Sequence, residues 1–167
     1  MKLKYISWIP AVIVMIVIFL FSAKPAVNSN DSSKAIAAQV LEIYEEITNN
    51  EIDTNVREDI LDKLNHVVRK SAHYLEYTLL AWCICLHLAV LKLGRKKLFA
   101  YAILCSAAYA LTDEIHQYFV PGRSCQLTDV LLDSCGAATG ALVFLFMLFV
   151  FNKISKRKNA NLLPRNG

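Results

Sequence analysis

This sequence predicts an all-α membrane protein with four transmembrane helices. The composition is 56% hydrophobic, and the apolar residues are gathered into long runs instead of recurring on one face of short segments. Four runs are long enough to cross a bilayer, which takes roughly 20 residues that rise about 1.5 Å each. They are Tyr5 to Ser22, Ala72 to Leu93, Leu98 to Val120 and Leu127 to Phe151. At 167 residues the chain is expected to form one domain, 1–167.

The first run contains no ionisable group, which favours a membrane span. A basic start and the small residues Ser22 and Ala23 are also typical of a cleaved signal peptide. Phe21 occupies the minus-three place for cleavage after Ala23, where a small residue is expected, and the run is longer than most signal cores. We therefore expect this segment to be retained as a span, with cleavage as the alternative.

The connection from Ala23 to Ser71 is predicted to be helical without crossing the membrane. A second helical pattern begins near Thr54 and could run without a break into the second span. This connector is interpreted either as a solvated or interface-lying segment or as a lid over a site. Its first helix is amphipathic, with one apolar stripe that consists of Ile36, Val40, Ile43, Tyr44 and Ile47.

Basic residues predict how the spans are oriented. Three clusters of lysine and arginine lie on one side of the membrane if every span crosses once, and the positive-inside tendency makes that side the cytoplasm. Both termini are then cytoplasmic, and the connector faces outward. The clusters are Lys2 and Lys4, then Lys92, Arg95, Lys96 and Lys97, then Lys153, Lys156, Arg157 and Lys158.

Polar residues occur at one depth in three of the predicted spans. Ionisable groups are costly in hydrocarbon and persist there when they pair, face protein or water, or perform a function. Spacings of three and four residues place most of them on one face of each helix, so we expect the stripes to meet in one pocket that opens outward. The candidate binding residues are Arg69, Lys70, His73, Glu76 and Tyr77, then Asp113, Glu114, His116, Gln117 and Arg123, then Asp129 and Asp133.

Two of the four histidines lie beside carboxylates. His73 and His116 could each form a general acid-base pair or half of a metal site. The spacing differs from a zincin, which places two histidines four residues apart around a glutamate, so no metal and no other cofactor is predicted. His66 and His87 are expected to have structural or solvated roles.

The five cysteines do not predict a disulfide framework. Four of them fall within predicted spans, where a free cysteine behaves as a small apolar residue, and only Cys125 is placed in an outer loop. The net charge of +4 reflects the basic clusters that set orientation. Because basic residues do not alternate with aromatic ones, no nucleic-acid partner is predicted.

Three motifs resemble the VanZ-like family: RKSAHYLEY from Arg69 to Tyr77, DEIHQYFVPGR from Asp113 to Arg123, and DVLLDSCG from Asp129 to Gly136. The resemblance implies a small polytopic membrane protein of bacteria, and the founding member is associated with low-level teicoplanin resistance. It also marks Pro121 and Gly122. One departure is Asp133, where the family pattern leads us to expect asparagine.

The expected function is binding or modification of an amphiphilic molecule of the cell envelope. Arginine and lysine suit phosphate or carboxylate, and an adjoining bilayer suits a tail, so lipid-linked envelope precursors and lipoglycopeptides such as teicoplanin are the expected ligands. The alternative is a membrane-embedded hydrolase or transferase that acts on a lipid-linked substrate, and the sequence leaves catalysis open. In that case the candidate catalytic residues are His73, Glu76, Asp113, Glu114 and His116.

Overall fold

The computed structural model describes residues 3–50 and 52–162, and the regular structure within these ranges is helical. Four helical segments are long and apolar enough to cross a membrane, which confirms the predicted all-α class with four spans. Lys2, one of the residues used to predict orientation, lies outside the described ranges. The helices are α1 (Leu3–Ile6), α2 (Ile9–Ser22), α3 (Ala26–Thr48), α4 (Thr54–Val90), α5 (Arg95–Tyr118) and α6 (Leu127–Leu162).

The first span has a break near its start. Helix α1 ends at Ile6, and α2 has Pro10 in its first turn. Proline has no backbone N–H to donate to the carbonyl of Ile6, so a helix accepts it best at its beginning. Ser7 lies in the break, and its buried hydroxyl is 2.9 Å from Nδ1 of His87. His87 therefore has a hydrogen-bond partner on the first span, which agrees with the structural or solvated role expected of it.

Helix α4 is one continuous element of 37 residues. The prediction that a pattern starting near Thr54 could run unbroken into the second span is confirmed. The helix ends at Val90, slightly before the predicted end at Leu93, because Lys92 adopts a left-handed conformation with a φ of 61°. A residue with positive φ cannot continue a right-handed helix.

Helices α5 and α6 form the third and fourth spans. Helix α5 starts at Arg95, somewhat before the predicted span, directly after Gly94. Helix α6 begins at Leu127 as predicted and continues well past Phe151. The basic cluster after the fourth apolar run therefore extends the same helix.

Helix α3 packs against the first half of α4 through a face that contains two small residues and a leucine. Ser33, Ala37 and Leu41 are buried there, and the Ser33 hydroxyl donates a hydrogen bond to Oδ1 of Asn65. Small side chains let two helices approach closely, so this face makes the contact although it is less apolar than the predicted stripe. The helix was predicted correctly, but its apolar stripe is exposed on the surface of the protein: Ile36, Val40, Ile43, Tyr44 and Ile47.

Two ion pairs join α3 to α4 in a helical hairpin. Lys34 and Asp62 are 2.9 Å apart, and Arg57 lies 2.6 Å from Glu45 near the tip. The hydrogen bond from Arg57 lowers the pKa of Glu45. A lowered pKa in the folded state means that the pair stabilises the fold above the ordinary carboxyl pKa and that this contribution is lost as the pH falls through the folded value.

We expect the hairpin to become less stable in acid through this pair. The difference in thermal stability between the wild-type protein and Glu45→Gln, measured in detergent, should be largest near neutral pH and should shrink toward about pH 3. Glu46→Gln, an exposed neighbour, serves as the control. A difference that stays constant with pH would contradict this role for Glu45.

Helix α4 is the centre of the bundle and contacts α1, α2, α3, α5 and α6. Its Thr78 hydroxyl donates a hydrogen bond of 2.9 Å to the carbonyl of Gly136 in α6, so the two helices meet nearly backbone to backbone. Glycine permits this approach because it has no side chain. The ends of α2 and α5, the start of α6 and the middle of α4 are consequently brought together at one end of the bundle.

Candidate functional site

The predicted stripes on α4, α5 and α6 do lie at the same end of the bundle, which we call the polar end. Several of their side chains are almost fully removed from solvent. Tyr77 is 0% exposed, Glu114 and Asp133 are each 1% exposed, and Asp113 is 4% exposed. Carboxyl groups are rarely buried to this degree unless they are paired or have a function. The polar end is therefore the candidate site.

Asp113 is held by hydrogen bonds from two directions. Ser22, at the end of α2, donates to Oδ2 over 2.9 Å, and Gln117 Nε2 donates to the same atom over 2.9 Å. Gln117 also donates to the Ser22 hydroxyl over 3.3 Å. These three buried side chains join α2 to α5. Ser22 was not predicted as a site residue, although a serine at the end of an otherwise apolar run was the available signal.

Glu114 faces the loop that leads into α6. Its Oε2 accepts a hydrogen bond of 2.8 Å from the backbone N–H of Gln126. This bond connects the end of α5 to the residue before α6 and fixes the loop between them. Gln126 was also missed by sequence reasoning, because a contact through a backbone N–H leaves no signature in residue types.

A tight turn places Arg123 at the polar end. The backbone N–H of Arg123 donates to the carbonyl of Val120 over 3.1 Å, with Pro121 and Gly122 between them, and Gly122 has a φ of 76°. Proline followed by a residue of positive φ is the signature of a type II turn. Pro121 also accepts a hydrogen bond of 3.2 Å from the backbone N–H of Ala26, so the turn supports the start of α3.

We expect Gly122→Ala to destabilise this turn by about 1–2 kcal/mol, because an L side chain is strained at positive φ. The added Cβ would also lie 3.1 Å from Cβ of Ala26. Thermal unfolding in detergent measures the effect. Gly122→Asn should cost less, because asparagine tolerates the left-handed conformation. Equal losses for both variants would instead indicate crowding against Ala26.

The larger of two adjoining cavities lies between α2, α3, α4 and the turn, with a volume of about 240 Å³. The ionisable side chains in its wall are Lys24, Arg69, His73, Glu76 and Arg123. Four apolar side chains and four serines also line it: Phe21, Ile36, Val68 and Ala72, with Ser22, Ser29, Ser32 and Ser33.

The smaller cavity, of about 120 Å³, lies between α4, the turn and the start of α6. It shares Arg69, His73 and Arg123 with the larger cavity. Lys70 and Asp129 form an ion pair in its wall, and His66 lies at its edge. His66 was expected to be structural or solvated, and its place beside a cavity was not foreseen.

The polar residues therefore do not share the single pocket that the sequence led us to expect. Asp113, Glu114, Asp133 and Tyr77 are buried between the helices and line neither of the two cavities. His116 faces Phe19 of α2, with ring centroids 4.6 Å apart. The expectation failed in this respect because helix spacing gives the face on which a residue lies but not the neighbour that covers it.

Several polar atoms at the polar end are buried without a hydrogen-bond partner in the described residues. They are Nδ1 of His73, the hydroxyl of Tyr77, Oδ1 of Asp113, Nε2 of His116, both carboxyl oxygens of Asp133, and Nε and Nη1 of Arg123. Most buried polar groups in folded proteins are hydrogen-bonded to protein or to ordered water, so these atoms are the positions where water or a ligand can bind.

Within residues 3–50 and 52–162, no group of three or more histidine, cysteine, aspartate or glutamate side chains is arranged to hold a metal ion.

Comparison with known proteins gives one match. A family model described as VanZ/LLP1 matches residues 7–150. This range includes most of the first span, all of the second and third spans, most of α6 and the whole polar end. No curated protein and no solved structure matches this chain.

Proposed function

Because the chain belongs to the VanZ/LLP1 family, we propose that it is a bacterial cell-envelope membrane protein that binds an amphiphilic envelope molecule at its polar end. The observation that supports this most is the mixed lining of the larger cavity. Charged and apolar side chains both line it, at the end of membrane-spanning helices. A polar head beside an apolar tail fits such a wall.

The size of the cavity limits what can enter it. Sites that enclose drug-sized molecules measure roughly 300–1,000 Å³, and the larger cavity has about 240 Å³. A cavity of this volume encloses a head group or the end of an acyl chain, and the rest of a larger molecule would lie outside it. A contribution to teicoplanin-type resistance would therefore involve an envelope lipid or the drug's acyl chain in this cavity.

We place the polar end at the outer face of the membrane. The Lys92 to Lys97 turn and the basic end of α6 lie at the opposite end of the bundle, and basic loops favour the cytoplasm. The native Cys125, exposed in the loop beside Arg123, tests this directly. It should react with a membrane-impermeant maleimide in intact cells, and Cys125→Ser should abolish that labelling. Labelling that requires broken cells would reverse the orientation.

The binding proposal is tested by recovering what the protein carries. Protein purified from bacterial membranes in mild detergent should retain an amphiphile that mass spectrometry identifies, and Arg69→Gln or Arg123→Gln should retain much less of it. Lys96→Gln, an exposed change at the opposite end, is the matched control. Equal lipid content in all variants would contradict a site at the polar end.

Cellular function gives a second test of the same proposal. In a bacterial strain that lacks the gene, restoring the wild-type protein should change teicoplanin susceptibility or envelope composition, and the same cavity variants should fail to do so. Full complementation by Glu76→Gln, Asp113→Asn and His116→Ala together would remove the support for the polar end as the functional site.

An enzymatic function is the second candidate, and the position of His73 favours it. This histidine lines both cavities, its Nδ1 has no partner in the described residues, and Glu76 follows one turn later on α4. Such a pair can exchange protons with a bound substrate. Turnover of a labelled lipid-linked substrate by purified protein, abolished by His73→Gln while binding persists, would favour catalysis over binding alone.

A further inference from the structure

Two of the three guanidinium nitrogens of Arg123 have no hydrogen-bond partner in the described residues. Nη2 donates to the carbonyl of Phe21 over 3.3 Å, whereas Nε and Nη1 are buried and have no acceptor in the described residues. Nδ1 of His73, in the wall of the same cavity, is likewise unpartnered. A buried charged donor without an acceptor is costly. The Arg123 guanidinium therefore lacks oxygen acceptors, whereas Nδ1 of His73 can either donate to a ligand or accept from it.

The charge of the larger cavity also favours an anion. Lys24, Arg69 and Arg123 contribute three positive charges to its wall, and Glu76 contributes one negative charge. In the smaller cavity, Lys70 is already neutralised by Asp129. A positively charged amine in the larger cavity would therefore meet an excess of positive charge.

Arg69 and Arg123 increase this preference because they repel each other. Burial and the positive charge of Arg69 lower the pKa of Arg123, although an arginine remains protonated at any physiological pH. Arg69 forms no ion pair within the described ranges. Glu76, Asp113 and Glu114 offset part of this repulsion at Arg123. An anion that binds between the two arginines stabilises them further.

We infer that Arg69 and Arg123, with Lys24, bind the phosphate group of a phosphorylated lipid in the larger cavity. A carboxylate satisfies one arginine through a single fork, whereas the tetrahedral oxygens of a phosphate accept from several donors that approach from different directions. The apolar side chains of Phe21, Ile36, Val68 and Ala72 then face the first carbons of the tail. This inference rests on the proposed function, namely that the cavity holds an amphiphile.

The experiment measures binding of four probes to the full-length protein in detergent micelles by thermal shift and calorimetry. The probes are a short-chain phosphatidic acid, the diacylglycerol of the same chain length, a fatty acid of similar length and inorganic phosphate. We expect the phosphatidic acid to bind most tightly. Arg123→Gln and Arg69→Gln should each weaken it by about ten-fold or more, and Arg95→Gln, at the opposite end, should leave it unchanged.

The outcomes separate this inference from the function on which it rests. Equal binding of diacylglycerol or of the fatty acid, insensitive to both arginine variants, would overturn the phosphate site and leave amphiphile binding in place. Inorganic phosphate that binds as tightly as the phosphatidic acid would support the phosphate site and contradict an amphiphilic ligand. Binding of none of the probes would overturn the inference, and the recovery of a different amphiphile from membranes would still sustain the proposed function. Because Arg123 also holds the Phe21 carbonyl, Arg69→Gln provides the test should Arg123→Gln fail to fold.

Discussion

Gly140→Ala is expected to lower the stability of the protein by about 1–3 kcal/mol, the usual cost of overpacking a closely fitted contact. A Cβ at this position would lie 2.9 Å from the carbonyl carbon of Thr78 and would overlap its carbonyl oxygen. These are backbone atoms of α4, so no side-chain rotation relieves the overlap. The helices α4 and α6 must separate, and the walls of the polar end with them.

Thermal unfolding of the purified protein in detergent measures this loss. Gly94→Ala is the matched control, because a Cβ there meets nothing within 4 Å and Gly94 has a φ of −65°. We expect Gly94→Ala to have the same midpoint of thermal unfolding as the wild-type protein. If Gly140→Ala and Gly94→Ala show the same midpoint as the wild type, the close approach of α4 and α6 is wrong.

Asp133→Asn is expected to change stability in the opposite direction and to stabilise the protein by about 1–3 kcal/mol. Asp133 is 1% exposed, and neither of its carboxyl oxygens has a hydrogen-bond partner in the described part of the chain. Asparagine has nearly the same shape and carries no charge. The substitution thus removes a buried ionisable group without creating a cavity.

The same chemical change one turn earlier in α6 serves as the control for Asp133. Asp129 pairs with Lys70, so Asp129→Asn leaves a partly buried cation unpaired and should reduce the unfolding midpoint. A loss of stability in both variants would indicate that Asp133 has a partner, such as a bound water or ligand. Asp133, which departs from the family pattern, would then contribute to the binding of that partner.

The spans were predictable because a run of about 20 apolar residues is rare outside membrane-crossing helices. Their limits depend on local backbone conformation, as at Lys92, whose left-handed conformation ends α4 early. The exposed stripe of α3 shows a further limit of sequence reasoning. Periodicity identifies an apolar face, but the small residues Ser33 and Ala37 determine which face packs closely against α4.

The sequence predicted that the polar stripes of α4, α5 and α6 lie at one end of the bundle. The division of the candidate site into two cavities was not predictable, because that depends on side-chain directions such as the one that joins Lys70 to Asp129. Ser22 belongs to the hydrogen-bond network of Asp113, but the contact joins residues that are far apart in the sequence. Spacing rules describe neighbours on one helix, and the interior of a bundle is assembled from several.

The unbroken course of α4 has a mechanical consequence. With 37 residues the helix is about 55 Å long, and it contains neither proline nor glycine, the usual causes of a sharp kink. Its first half lies in the hairpin with α3, and its second half crosses the membrane and holds Tyr77. Because α4 has no hinge between its halves, a displacement of the hairpin tip would tilt the part of α4 that carries Arg69, His73 and Glu76.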